Sequence, residues 1–117
     1  LSHPFDRHRM GGWTLDEMEN MLPYLDALET LNARTIHAKD NQKAMDYALK
    51  HNLPAIAGSD SHSPMEVGKV WVDLPLFFNA SSLRASAKDG RIGGNVSPFW
   101  VHFLSRWAKF RKKISQP

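Results

Sequence analysis

Short apolar runs alternate along the chain with stretches of helical spacing, and turn residues mark the joints. Gly11-Gly12 interrupt the chain before a first helix, predicted over 15–23 with Leu15, Met18 and Leu22 on one face. Thr14 suits its N-cap, and Glu17 three residues on completes a capping box. Residues 25–32 alternate apolar and polar in part and read as a strand. After a loop over 33–38, Asp40 or Asn41 can cap a helix over about 41–51, with Ala44, Tyr47, Ala48 and His51 at helical spacing. Asn52 stops that helix, and Pro54 sits just beyond it.

Pro54-Ala55-Ile56-Ala57-Gly58 is small and apolar, which fits a strand buried on both faces as in a parallel sheet. Gly58 to Pro64 is a polar loop at its C-terminal end. Val67 to Leu74, with Val70, Trp71 and Val72, predicts another strand, and Ser81 or Ser82 then caps a short helix ending near Gly90. Ser97 and Pro98 open a last helix over 97–114. Trp100, Phe103, Leu104, Trp107 and Ile114 line one side of it, and His102, Arg106, Lys109, Lys112 and Lys113 the other. Alternation of strand and helix makes parallel βα units the expected α/β architecture. In such folds chemistry gathers at the C-terminal ends of strands, where His3, Asn32, Asp60 and His62 all fall.

Composition narrows the class. A chain of 117 residues fits one small domain, and 42% hydrophobic with 23% charged residues argues against disorder over most of it. There is no cysteine, so no disulfide forms and any metal site must use His, Asp, Glu or water. The opening LSHPFDRHRMGG lacks the apolar core of a signal peptide, and no apolar run approaches the ~18 residues that span a bilayer. The expectation is a soluble, cytoplasmic protein. The net charge of +3 is uneven: residues 1–89 carry −3, while residues 90–117 carry six Lys/Arg, no acid, and +6.

The sharpest chemical signal is Asp60-Ser61-His62. Residues two apart in an extended segment point the same way, so a carboxylate and an imidazole converge, and both suit a borderline divalent ion. Gly58 permits close backbone approach, and Ser59 can donate a supporting hydrogen bond. A plain polar turn is the competing reading. His3, before Pro4, is the next candidate. His8, His37, His51 and His102 have no comparable context, although His37 follows a strand and His51 sits near a helix C-terminus.

These segments together resemble the PHP (polymerase and histidinol phosphatase) family of metal-dependent phosphoesterases. Ser2-His3-Pro4-Phe5-Asp6-Arg7 resembles its third histidine motif, a strand ending in His-Pro. Leu28 to Arg34 resembles the next strand, with its Glu followed by Asn-Ala. Asn41-Gln42-Lys43-Ala44 and Ala48 resemble the helix after it. Leu53 to His62 resembles the final motif, an apolar strand followed by Gly-Ser-Asp-x-His, and Glu66-Val67-Gly68 the short Glu-x-Gly step beyond. The match covers about residues 1–93. It implies the C-terminal portion of a distorted (β/α)7 barrel, with residues 94–117 as an appended basic amphipathic helix.

The resemblance also implies two or three divalent ions, Mn, Zn or Fe, and a metal-held water attacking a phosphate ester of a nucleotide or other phosphorylated small molecule. On this mapping His3, Asp60 and His62 are metal ligands, with Asp60 and His62 in the catalytic centre. Arg7 and Arg34 are candidates for phosphate contact, and Glu29 is structural or supports a ligand. The chain departs from the family in lacking the opening His-x-His pair and the further ligands after it. The expectation is therefore a fragment that carries part of the site and is inactive alone. Its open sheet edges leave room for a homo-oligomer. The alternative is a non-catalytic module in which residues 97–114 contact a membrane or nucleic acid. Packing of the aromatic face on the domain is the favoured reading of that helix.

Overall fold

The computed structural model describes residues 1–8, 12–103, 107 and 111. Helix α1, Leu15–Met21, begins as its sequence dictates. Thr14 Oγ1 accepts from the Glu17 N–H at 3.2 Å, and the Thr14 N–H donates to Glu17 Oε2 at 2.8 Å. The backbone and hydroxyl hydrogen bonds from Thr14 hold the Glu17 carboxyl below its ordinary range. A 3-10 turn, Leu22–Tyr24, leads to strand β1, Leu28–Asn32.

Helix α2, Ala38–Lys50, starts three residues before the predicted position, and neither Asp40 nor Asn41 caps it. His37 precedes it in extended conformation with no side-chain cap bond. Asp40 and Asn41 lie inside the first turn because long-range partners take their side chains. Asp40 faces Arg7, and Asn41 bonds the backbone of Asn32. The C-terminus follows expectation. Asn52 adopts φ 52°, its N–H donates to Leu49 O, and the Leu53 N–H returns to Ala48 O at 2.9 Å. This is a Schellman closure with Asn in the left-handed position.

Strand β2, Ala55–Gly58, pairs with β1 in parallel, from Leu28 opposite Ala55 to Asn32 opposite Gly58. Its four residues are half-buried rather than buried on both faces, since β1 is the one described strand bonded to it. Met18, Leu28, Tyr47 and Ala48 form the core beneath this pair, with Leu1, Phe5, Leu22, Leu25 and Leu53 packed against them. The Phe5 and Tyr47 rings meet edge to face at 5.8 Å.

The second half departs from the parallel expectation. Strand β3, Val70–Asp73, runs antiparallel to β4, Arg91–Gly94, after helix α3, Ala80–Lys88. Strand β4 was not expected, because Arg-Ile-Gly-Gly has little strand propensity. Trp71 compensates by lying across Gly93, where a Cβ would sit 2.7 Å from its ring. Asn79, not Ser81 or Ser82, caps α3, and Ser82 is the third helical residue of that capping box. The fold is mixed α/β, with two short sheets of two strands each among the described residues and no closed barrel.

After β4 the chain returns to the first half, where the Ser97 N–H donates to Ala33 O at 2.7 Å and Val101 is buried. Residues 101–103 are helical, as are Trp107 and Arg111; the rest of the helix expected over 97–114, from 104 on, lies outside the described residues. Ser97 Oγ is buried without a hydrogen bond and does not act as the expected cap. Trp100, Phe103 and Trp107 are exposed, so the residue packing inward here is Val101 rather than the aromatic stripe. No helix among the described residues is long and apolar enough to cross a membrane.

Candidate functional site

Parallel pairing puts the C-terminal ends of β1 and β2 side by side, and the loops that follow open from one rim. The chain's first residue runs along β1 on the other side: the Glu29 N–H donates to Leu1 O at 2.9 Å. His3 thereby reaches the same rim. Glu29 Oε2 accepts from the His3 N–H at 2.6 Å and from Asn32 Nδ2 at 3.2 Å. Asn32 Nδ2 also donates to Asp60 Oδ2 at 3.3 Å. One buried carboxylate and one buried amide therefore link the His3 backbone to the Asp60 side chain.

Close approach makes this possible. A Cβ on Gly58 would collide with Glu29 Oε1, so glycine at the end of β2 leaves the room in which Glu29 sits. His3 and Asp60 both adopt left-handed backbone, with φ of 31° and 48°. Such conformations cost roughly 1–3 kcal/mol each and persist where the surroundings fix them. Both residues were singled out from the sequence alone.

His62 is exposed, and its Nδ1 lies 2.8 Å from the Asp60 carbonyl oxygen. A carbonyl only accepts, so Nδ1 carries the hydrogen, and a neutral ring then presents its lone pair at Nε2. Arg7 reaches Asp40, which lines a shallow surface depression together with His3, Asp6, Glu29, Thr35 and Asn41. Its Nε is 3.3 Å from Asp40 Oδ1; the arginine side chain is 64% exposed and the aspartate 1%. Arg34, the other arginine expected to meet phosphate, is buried instead, with Nη1 paired to Glu66 Oε1. Glu29 is buried and bonds the His3 backbone and the Asn32 amide. Asn32, Asp40 and Glu66 are buried polar residues around the rim; the strand-end position of Asn32 and the Glu-x-Gly step at Glu66 were the signals that pointed to them.

Residues 38–92, from the start of α2 through β3 and α3 into β4, match the profile of the PHP-associated family. This matched region contains Asp60, His62 and Glu66, while His3, Arg7, Asn32 and Arg34 precede it. An uncharacterized protein of Methanocaldococcus jannaschii is 33% identical over 75 residues, covering 62% of this chain and 32% of that protein. The chain thus spans about a third of that relative's length. No solved structure matches the chain.

The family context makes the donor set a test of metal binding. The donor types suit a divalent ion. Among the described residues, however, no three His, Asp or Glu side chains are grouped to hold one. The fit is in kind and not in number, so a complete metal centre needs ligands beyond this set.

Proposed function

We propose that this chain is the C-terminal part of a metal-dependent phosphoesterase that hydrolyses a nucleotide or other phosphate ester. It contributes Asp60, His62 and His3 to a site whose remaining ligands lie outside the described residues. The observation that carries this reading is the relay from the His3 backbone through Glu29 and Asn32 to the Asp60 carboxylate, next to His62. The match of residues 38–92 to the profile of the PHP-associated family supports it.

Within this reading, Glu29 and Asn32 hold the rim, and Asp60 supplies an anionic oxygen donor. His62 supplies Nε2, with the hydrogen on Nδ1 fixed by the Asp60 carbonyl. Arg7 offers an exposed guanidinium beside Asp40, and its paired N–H groups suit two phosphate oxygens. Arg34 is spent on Glu66 and has no part in phosphate contact here. Divalent ions, Mn, Zn or Fe, would supply Lewis acidity and lower the pKa of a bound water.

The test is Mn²⁺ binding and hydrolysis of a generic phosphate ester by the protein that contains this chain. Asp60→Asn and His62→Ala should each weaken both by at least about tenfold, as loss of a ligand costs more than loss of a residue behind one. Metal binding and turnover that ignore both substitutions overturn the assignment.

A further inference from the structure

Glu66 has no ligand or substrate role above, yet it is buried to 1% exposure and both of its oxygens are engaged. Oε1 pairs with Arg34 Nη1. Oε2 accepts from the His62 N–H at 3.2 Å and from the Ser63 hydroxyl at 2.8 Å. The 3-10 turn Pro64–Glu66 curls the chain back so that this carboxylate lies beneath the loop just before it. Arg34 is itself held: its N–H donates to Asn32 Oδ1 at 2.8 Å, and its Nη2 lies 3.5 Å from His102 Nδ1. The segment bearing His102 is tied to the end of β1 through the Ser97 N–H and Ala33 O. The loop carrying Asp60 and His62 thus rests on one carboxylate, braced by β1 and by the segment after β4.

We propose that Glu66 is a positioning residue: braced by Arg34 and His102, it holds the backbone of His62 and so aims Asp60 and His62 at the rim. This rests on the reading that Asp60 and His62 belong to the functional site. Stability alone explains the arrangement poorly, because a buried ion pair contributes little over apolar residues of the same volume. A pair serving only the core would also not direct its second oxygen at a loop. Asp60, with φ 48°, lies two residues from the bonded amide, and a left-handed conformation lasts only where neighbouring bonds hold it.

The test follows individual amides and the His62 ring by NMR in the intact chain. Arg34→Met/Glu66→Leu keeps apolar volume in the buried site and removes the acceptor. Glu66→Asp keeps the charge for Arg34 but withdraws the oxygen from the loop. In both, hydrogen exchange at the His62 amide should speed up by about tenfold or more, while the amides of Leu28 and Ala57 keep their protection. The His62 ring should also leave the Nδ1–H form that its contact with the Asp60 carbonyl favours in the parent. Glu66→Gln, which keeps an acceptor in place, should restore part of the protection. Unchanged His62 exchange in a folded Glu66→Asp chain, or in the folded double variant, overturns the proposal. Mn²⁺ added to the parent sample should broaden the Asp60 and His62 signals. No broadening there counts against the metal reading and leaves the exchange result to judge Glu66 by itself.

Discussion

The parallel half, β1–α2–β2, and the antiparallel half, β3–α3–β4, have similar lengths and use their polar residues differently. In the first, Glu29, Thr30, Asn32, Arg34, Thr35 and Asp40 are buried. The second buries Ser86 within its elements and leaves Trp71, Leu76, Phe77 and Phe78 exposed. Buried polar groups are costly unless bonded, and here the cost is concentrated where parallel strand ends must hold loops to a common rim. Glu66 lies in the chain between the halves and ties the loop after β2 to Arg34 at the end of β1.

The largest predicted effect strikes that junction. Glu66→Ala strands a buried arginine and should cost about 3–5 kcal/mol in denaturant unfolding, whereas Asp73→Asn, exposed on β3, should stay within about 0.5 kcal/mol. Similar losses for the two would erase the distinction between the halves. Leu28→Ala in the core of the first half should cost about 2–5 kcal/mol by the same measurement. Gly58→Ala, which drives a methyl group into Glu29, should cost about 1–3 kcal/mol and shift the His3 amide resonance.

Acid should act through the junction too. Burial pushes the Glu66 carboxyl up, but hydrogen bonds from Ser63, the His62 N–H and Arg34, together with the arginine charge, hold it below its ordinary 4.5. A depressed folded pKa gives stability that is present above the unfolded value and lost as pH falls through the folded one. The unfolding midpoint should therefore fall below about pH 4.5 in the parent and fall less in Arg34→Met/Glu66→Leu. The smallest effect concerns Arg84 and Asp26, an exposed pair at 2.7 Å. Arg84→Ala should cost about 0.2–1 kcal/mol, fading with added salt.

What the sequence disclosed divides along the same line. The Thr14 capping box, the Asn52 stop and the two parallel strands are set by residues a few positions apart, and each was legible. Asp40 and Asn41 read as caps because their true partners, Arg7 and Asn32, are distant in the chain. Strand β4 was hidden because its stability comes from Trp71 across the sheet rather than from its own residues. At the rim, the candidates His3, Asp60 and His62 were picked out by motif and strand-end position. Arg34 and Glu66 lie 32 residues apart, and no local pattern announces their pairing or the burial of Arg34.

Asn41 has a further effect, on what can attach to the sheet. Its Oδ1 accepts the Asn32 N–H at 3.1 Å and its Nδ2 donates to the Asn32 carbonyl at 3.2 Å, the pair of bonds a neighbouring strand would make. Leu1 fills the corresponding place beside Glu29. Between them the Asn41 side-chain amide and the Leu1 backbone occupy the outer margin of β1, and an incoming foreign strand finds those groups already taken. Replacing Asn41 with Ala would unseal that margin, so self-association should follow from a change that leaves the core intact.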